Sequence, residues 1–315
     1  MTIHRHRDIR YHANKQCRLD VYIRDDLAHL PVPVVMVIHG GAWVSQSKDS
    51  ATDMALNLAD EGFCVIAPSY TTAALLSSTE PKVLAVPFCV GALALLAPPS
   101  YRIWACVLLV AATILACISF RLTRHSQGVD HTMDIARAIA WAQHNIEYYG
   151  GSPDGIVLLG HSAGANIATV AATNYSYTRR QGIRTHYVRA VVGLSGPYND
   201  IRIREVPLLS PLLYAVFGYR DNYRKFFPMY SADTTSPPHL LFSAERDYTL
   251  YGHARDYRRR LQSLNVPVDA YLVSGTNHYT IRKYWSGDNR RVRDTIACFI
   301  RKHLPTPLAP SGSNP

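Results

Sequence analysis

The stretch from residue 156 to residue 172 constrains the fold more than any other part of the chain. The apolar run Ile156-Val157-Leu158-Leu159 leads into Gly160-His161-Ser162-Ala163-Gly164, and the small-residue stretch Ala165-Asn166-Ile167-Ala168-Thr169-Val170-Ala171-Ala172 follows. This predicts a strand, a sharp turn and a helix, with G-x-S-x-G spacing at the turn. Such a turn pushes the serine hydroxyl out of the sheet, and the flanking glycines remove side chains that would collide inside it. The helix that starts there aims its unpaired backbone N–H groups at any negative charge formed beside Ser162. A chance match to so short a pattern would lack the strand before it and the helix after it.

A serine hydroxyl needs a base to take its proton, and the base needs an orienting acid. Two downstream strands supply them in that chain order. The largely apolar run His239-Leu240-Leu241-Phe242-Ser243-Ala244 ends in Glu245-Arg246-Asp247, which puts a carboxylate past the carboxyl end of a strand, on the same sheet edge as the turn. Asp247 is the expected acid, and Glu245 is its competitor two residues away. Next, Val268-Asp269-Ala270-Tyr271-Leu272-Val273 alternates as a strand and leads into Ser274-Gly275-Thr276-Asn277-His278-Tyr279. His278 is the expected base, because His253 and His303 fall on expected helices. Ser195, in Gly193-Leu194-Ser195-Gly196, also ends an apolar strand but lacks the turn pattern, and is expected to be a sheet-edge serine near the pocket.

Acyl transfer also needs preorganised donors where negative charge develops. The run Val34-Val35-Met36-Val37-Ile38 reads as a buried strand ending in His39-Gly40-Gly41-Ala42-Trp43. Adjacent glycines there leave backbone N–H groups open to a cavity. Gly40, Gly41 and Ala163 are the expected oxyanion-binding residues, and Trp43 and Tyr198 are expected to shape the pocket.

These segments, with Asn277-His278, resemble the esterase/lipase branch of the α/β-hydrolases, in particular the carboxylesterases related to arylformamidase and to the prenylcysteine methylesterases. The run from Ile139 to Pro153 is similar to the helix and turn before the serine in that branch. The resemblance covers roughly residues 15 to 72 and 130 to 303. It implies an α/β-hydrolase fold and a serine esterase with a Ser162, His278 and Asp247 site. An amidase such as an arylformamidase would use the same machinery, and a catalytically silent hydrolase-fold protein is the reading from a different class.

The pattern is interrupted between Tyr70 and Asp130. Val83 to Ala97 and Ile103 to Phe120 carry no charge, and Pro98-Pro99-Ser100-Tyr101-Arg102 divides them as a tight helical hairpin would require. As helices they would reach roughly 22 and 27 Å, against a hydrocarbon core of about 30 Å. A cap buried in protein could also be apolar all round, but neither stretch has a polar stripe to face water. Residues 83–120 are therefore expected to be an inserted apolar hairpin embedded in a membrane, as two spans or as a re-entrant loop. Lys82, Arg121 and Arg124 flank it on one side, which points to a membrane-associated protein with its catalytic domain in the cytosol. The first residues, Met1 to Arg7, have no apolar core of a signal peptide, in keeping with that placement.

Around this insertion, residues 1–72 and 125–304 are expected to form one catalytic domain, and 305–315 a disordered tail. Expected strands lie at Asp8 to Ala13, Arg18 to Ile23, Val34 to Ile38, Phe63 to Ala67, Ile156 to Leu159, Val188 to Leu194, His239 to Ala244 and Val268 to Val273. Helical segments between most of them predict an α/β fold, a mostly parallel central sheet with helices on both faces. Lys and Arg number 33 against 23 Asp and Glu, a formal charge of +10. The basic clusters, such as Arg258-Arg259-Arg260, come with no nucleic-acid module; each reads first as a solvated helix face and otherwise as an attraction to anionic headgroups, and the expected partners are a small-molecule or lipid-like ester and the membrane. The six cysteines are too few and too scattered for a disulfide framework. No spacing resembles a zinc site or a cofactor motif.

Overall fold

All seven residues of Val32–Ile38 are buried, and a strand without polar alternation belongs inside a sheet covered on both faces. In the computed structural model, which describes residues 2–73, 130–204, 216–217, 223–247, 250–283 and 291–304, that strand lies near the middle of an eight-stranded sheet. In chain order the strands are β1 (Ile3–Arg10), β2 (Arg18–Arg24), β3 (Val32–Ile38), β4 (Cys64–Pro68), β5 (Gly151–His161), β6 (Val188–Leu194), β7 (His239–Arg246) and β8 (Val268–Asn277). Their spatial order is β1-β2-β4-β3-β5-β6-β7-β8. β1 and β2 pair antiparallel, as do β2 and β4, and every later pairing is parallel.

Alternation along the strands divides the core into two layers. Val34, Met36, Ile38, Ile156 and Leu158 pack with helices α2 (His131–Asn145) and α3 (Ala163–Thr173). Val35, Val37, Val157, Leu159, Val192 and Leu240 pack with α1 (Thr52–Asp60) and α5 (Arg291–His303) on the other side. Helix α4 (Leu250–Ser263) covers Leu241 and Tyr198 toward the β8 margin. The expected α/β class, mostly parallel sheet and two-sided helix cover are all present.

The first strand departs from expectation. It runs over Ile3–Arg10 rather than 8 to 13, with a register shift between His6 and Ile9 and Asp8 in a left-handed conformation. Its sequence, Ile-His-Arg-His-Arg-Asp-Ile-Arg, carries no strand-like alternation because this margin of the sheet is largely wet. The expected hairpin over 83–120 and tail over 305–315 lie outside the described residues. Among the described residues, no helix is long and apolar enough to cross a membrane.

Candidate active site

The expected site residues converge at the carboxyl ends of parallel strands, where such sheets bind ligands. Ser162 follows β5 directly and has φ 56° and ψ −124°, a conformation that costs a non-glycine residue about 1–3 kcal/mol and persists only when its surroundings enforce it. Those surroundings are tight. A Cβ on Gly160 would overlap the Gly164 carbonyl, and one on Gly164 would overlap the carbonyl oxygens of Ile38 and His39. The two glycines thus let the start of α3 cross the end of β3 at backbone contact. The Ser162 N–H donates to the Leu194 carbonyl at 2.8 Å, tying the turn to β6.

Two other strand ends bring the acid and the base. His278 Nε2 lies 2.9 Å from Ser162 Oγ, and His278 Nδ1 lies 2.7 Å from Asp247 Oδ1. Asp247 is buried, and its second oxygen accepts from the Ala244 N–H at 3.3 Å. Glu245 is exposed and accepts from the Gly275 N–H at 2.7 Å, so its carboxylate braces the end of β8 instead of facing His278. Ser195 follows β6 with φ 51°, and its Oγ accepts from the same Ala244 N–H at 3.4 Å. It stands beside the acid, not in the serine's place.

The glycine loop lies against the serine. A Cβ on Gly40 would stand 3.2 Å from the Ser162 Cβ, and Gly41 has φ 102°, where a side chain would overlap the Ser45 carbonyl. Ala42, Trp43 and Gln46 also have positive φ, a concentration of backbone strain in one short loop. Ala163 is the first residue of α3, so its N–H has no acceptor one turn back within the helix. Gly40 and Ala163 therefore adjoin Ser162, and Gly41 follows in the same loop. Trp43 is buried against Phe217, with ring centroids 5.0 Å apart. Tyr198 is fully buried and stacked on Tyr257, in the layer behind β6 and β7.

Three supporting residues were not singled out in sequence. His161 Nε2 donates to the His278 carbonyl at 2.8 Å, and burial, reinforced by His278, lowers the His161 pKa to about 4 and keeps it neutral. Asn166 accepts from Trp43 Nε1 at 3.3 Å and donates to the carbonyls of Pro197 and Phe226 at 3.1 and 2.9 Å, linking three loops around the site. Its one clue was a lone amide in a stretch of small and apolar residues. Tyr70 donates to the carbonyls of His39 and Gly40.

Among the described residues, one group could place three metal-ligating atoms together: His12, Cys17 and Asp134, within 4.8 Å of one another. Both Asp134 oxygens are already engaged, by the Thr71 N–H and by Arg137. None of the three contributes to the hydrogen-bonded line at Ser162.

Sheet order, crossover helices and the strained serine turn define an α/β-hydrolase fold. Esterase B from Lactobacillus rhamnosis has the same fold, with a TM-score of 0.69 and 15% identity over 95% of this chain and 85% of that one. The chain belongs to the BD-FAE family, whose pattern it matches over residues 19–81 and 105–254. That match leaves out residues 82–104, so the whole of the first uncharged stretch falls outside it and most of the second inside. Esterase LipC of Mycobacterium tuberculosis is 25% identical over 291 residues, which are 88% of this chain and 60% of that protein. Esterase LipQ of the same organism is 55% identical over 181 residues, 54% of this chain and 43% of that protein. The isoprenylcysteine alpha-carbonyl methylesterase ICME of Arabidopsis thaliana is 26% identical over 182 residues, 52% of this chain and 43% of that protein. The chain thus spans between 43% and 60% of the length of these relatives.

Proposed function

We propose that the protein is a carboxylic ester hydrolase working through an acyl-enzyme on Ser162. The observation that carries this reading is the line from Asp247 through His278 to Ser162 Oγ, assembled at 2.7 and 2.9 Å from three strand ends. With Nδ1–H donating to Asp247, the bare Nε2 of His278 takes the hydroxyl proton as Oγ attacks the ester carbonyl. Asp247 holds the imidazole in that tautomer and stabilises its cation. The N–H groups of Gly40, Gly41 and Ala163 receive the oxyanion of the tetrahedral intermediate. As it collapses, Nε2–H protonates the departing alcohol, and water then repeats the route on the acyl-enzyme.

The names of the relatives support ester over amide as the bond cleaved. The uncharged runs at 83–97 and 103–120 support a lipid-like substrate met at a membrane, with residues 1–72 and 125–304 as the catalytic domain and 305–315 as an appended tail. The test is hydrolysis of p-nitrophenyl esters by the purified protein and by Ser162→Ala. Turnover confined to the wild type is expected, and unchanged turnover in the variant would refute the assignment. Short esters, prenylcysteine methyl esters and aryl formamides, each assayed with and without liposomes, rank the substrate classes.

A further inference from the structure

The N–H groups of Gly40 and Gly41 belong to two consecutive peptide units, one joining His39 to Gly40 and the next joining Gly40 to Gly41. In a planar trans peptide, C=O and N–H point in opposite directions, so whatever holds the carbonyl also aims the N–H. Both carbonyls are held by one side chain. Tyr70, which follows β4 beside β3, shares its hydroxyl proton between the His39 oxygen at 3.1 Å and the Gly40 oxygen at 3.0 Å. His39 Nδ1 adds a second contact to the Gly40 oxygen at 2.8 Å.

The tautomer of His39 follows from its surroundings. Burial lowers its pKa to about 4, so the ring is neutral and carries one proton. Nε2 is buried and has no hydrogen-bond partner among the described residues, so placing the proton on Nδ1 puts the donor where there is an acceptor. The Gly40 carbonyl then has both lone pairs occupied. The Tyr70 ring is stacked on the His39 ring at 4.2 Å with 5° between planes, and His131 meets it edge-on at 5.6 Å. Burial pushes the Tyr70 phenol well above its usual range, so it remains a donor at any working pH. Neither ring can tilt without disturbing the other.

We propose that Tyr70 is a positioning residue for oxyanion stabilisation: by holding the carbonyls of His39 and Gly40 away from the site, its hydroxyl keeps the N–H groups of Gly40 and Gly41 facing Ser162. This rests on the ester hydrolase reading and deepens it. Without the hydroxyl, two buried carbonyls lose a donor. Rotation of either peptide would then bring an oxygen in place of an N–H toward the developing negative charge. Loss of one aimed donor typically costs turnover roughly 100- to 1,000-fold, and an indirectly loosened pair is expected to cost about 10- to 100-fold.

Tyr70→Phe removes one oxygen and keeps the stacked ring. In the full-length protein, kcat for p-nitrophenyl butyrate per titrated active site should fall about 10- to 100-fold, with KM within about twofold. Affinity for a trifluoromethyl ketone, which binds as an oxyanionic hemiketal, should fall with kcat/KM. A purely structural role would lower the active-site titre or the melting temperature and leave both of those readouts unchanged. If folded Tyr70→Phe keeps wild-type kcat per site and ketone affinity, the proposal is overturned. Should that variant not fold, His39→Phe removes the other donor to the Gly40 carbonyl, keeps an aromatic ring on Tyr70 and is read the same way. Ser162→Ala runs alongside: persistent turnover there sinks the hydrolase reading itself, whereas a dead Ser162→Ala with a fully active Tyr70→Phe sinks only the role of Tyr70.

Discussion

The serine and the histidine that meet across 2.9 Å come from opposite kinds of structure. Ser162 follows β5, where every residue from 155 to 161 is buried, and it precedes a helix whose eleven residues are all buried. His278 follows β8, one of the two edge strands, in which Thr276 alone is buried. Backbone strain is found on the serine side, where close packing of β3, β5 and α3 enforces a left-handed residue. The histidine side relies on hydrogen bonds: Asp247 holds Nδ1, His161 holds the backbone carbonyl, and Glu245 holds β8 at Gly275. Geometry at the nucleophile is thus fixed by packing, and geometry at the base by polar contacts that reach out from the interior.

Changes on the packed side should do the most damage. Gly164→Ala places a methyl on the carbonyl oxygens of Ile38 and His39, backbone atoms that cannot step aside. A loss of more than about 4 kcal/mol is expected, seen as little or no folded protein in thermal melts. If this variant melted like the wild type, packing would not be what holds the serine turn.

Asp247→Asn acts on the polar side and should leave folding intact while turnover falls about 10,000-fold, because the imidazole loses its tautomer and its counter-charge. Glu245→Gln in the same assay should change turnover less than about threefold, since only a loop contact is altered. The reverse ranking would exchange the two acids.

Acid should weaken the interior. His39, His161, His239 and His253 are buried, and burial lowers each from the usual 6.5 to about 4. Between those values the unfolded chain binds more protons than the folded one. Stability therefore rises with pH across that window and is lost as pH falls from 6.5 toward 4, by up to about 1.4 kcal/mol per pH unit for each histidine. Urea midpoints taken from pH 7 to pH 5 measure the slope, and a flat profile would contradict the burial of these rings.

His161→Phe links the two regions directly. It removes the donor to the His278 carbonyl but keeps a ring in the core, so turnover should drop between about tenfold and a hundredfold through misplacement of the base. The pH slope of stability should become shallower in the same variant. Smallest of all, Leu272→Ser on the exposed outer strand should move stability by about 0.5 kcal/mol or less, as readily checked by melting.

The contrast also explains what could be read in the sequence. The packed side was legible because packing demands particular residues at fixed spacing: glycines at 160 and 164, and small residues along α3. Asp247 and His278 were legible because strand patterns placed them on one edge. Asp247 was preferred to Glu245, although two carboxylates two residues apart are separated only by which one the end of β7 turns inward. Tyr70, His161 and Asn166 act through contacts 30 to 123 residues away in sequence, which no local pattern encodes. The first strand was misplaced because His and Arg fill a margin where burial does not select apolar residues.

The most direct test of the account is to label the purified protein with a fluorophosphonate and locate the adduct by peptide mass spectrometry. One adduct per chain is predicted, on Ser162, together with complete loss of p-nitrophenyl ester turnover and no labelling of Ser162→Ala. An adduct on Ser195, or undiminished turnover after full labelling of Ser162, would contradict it.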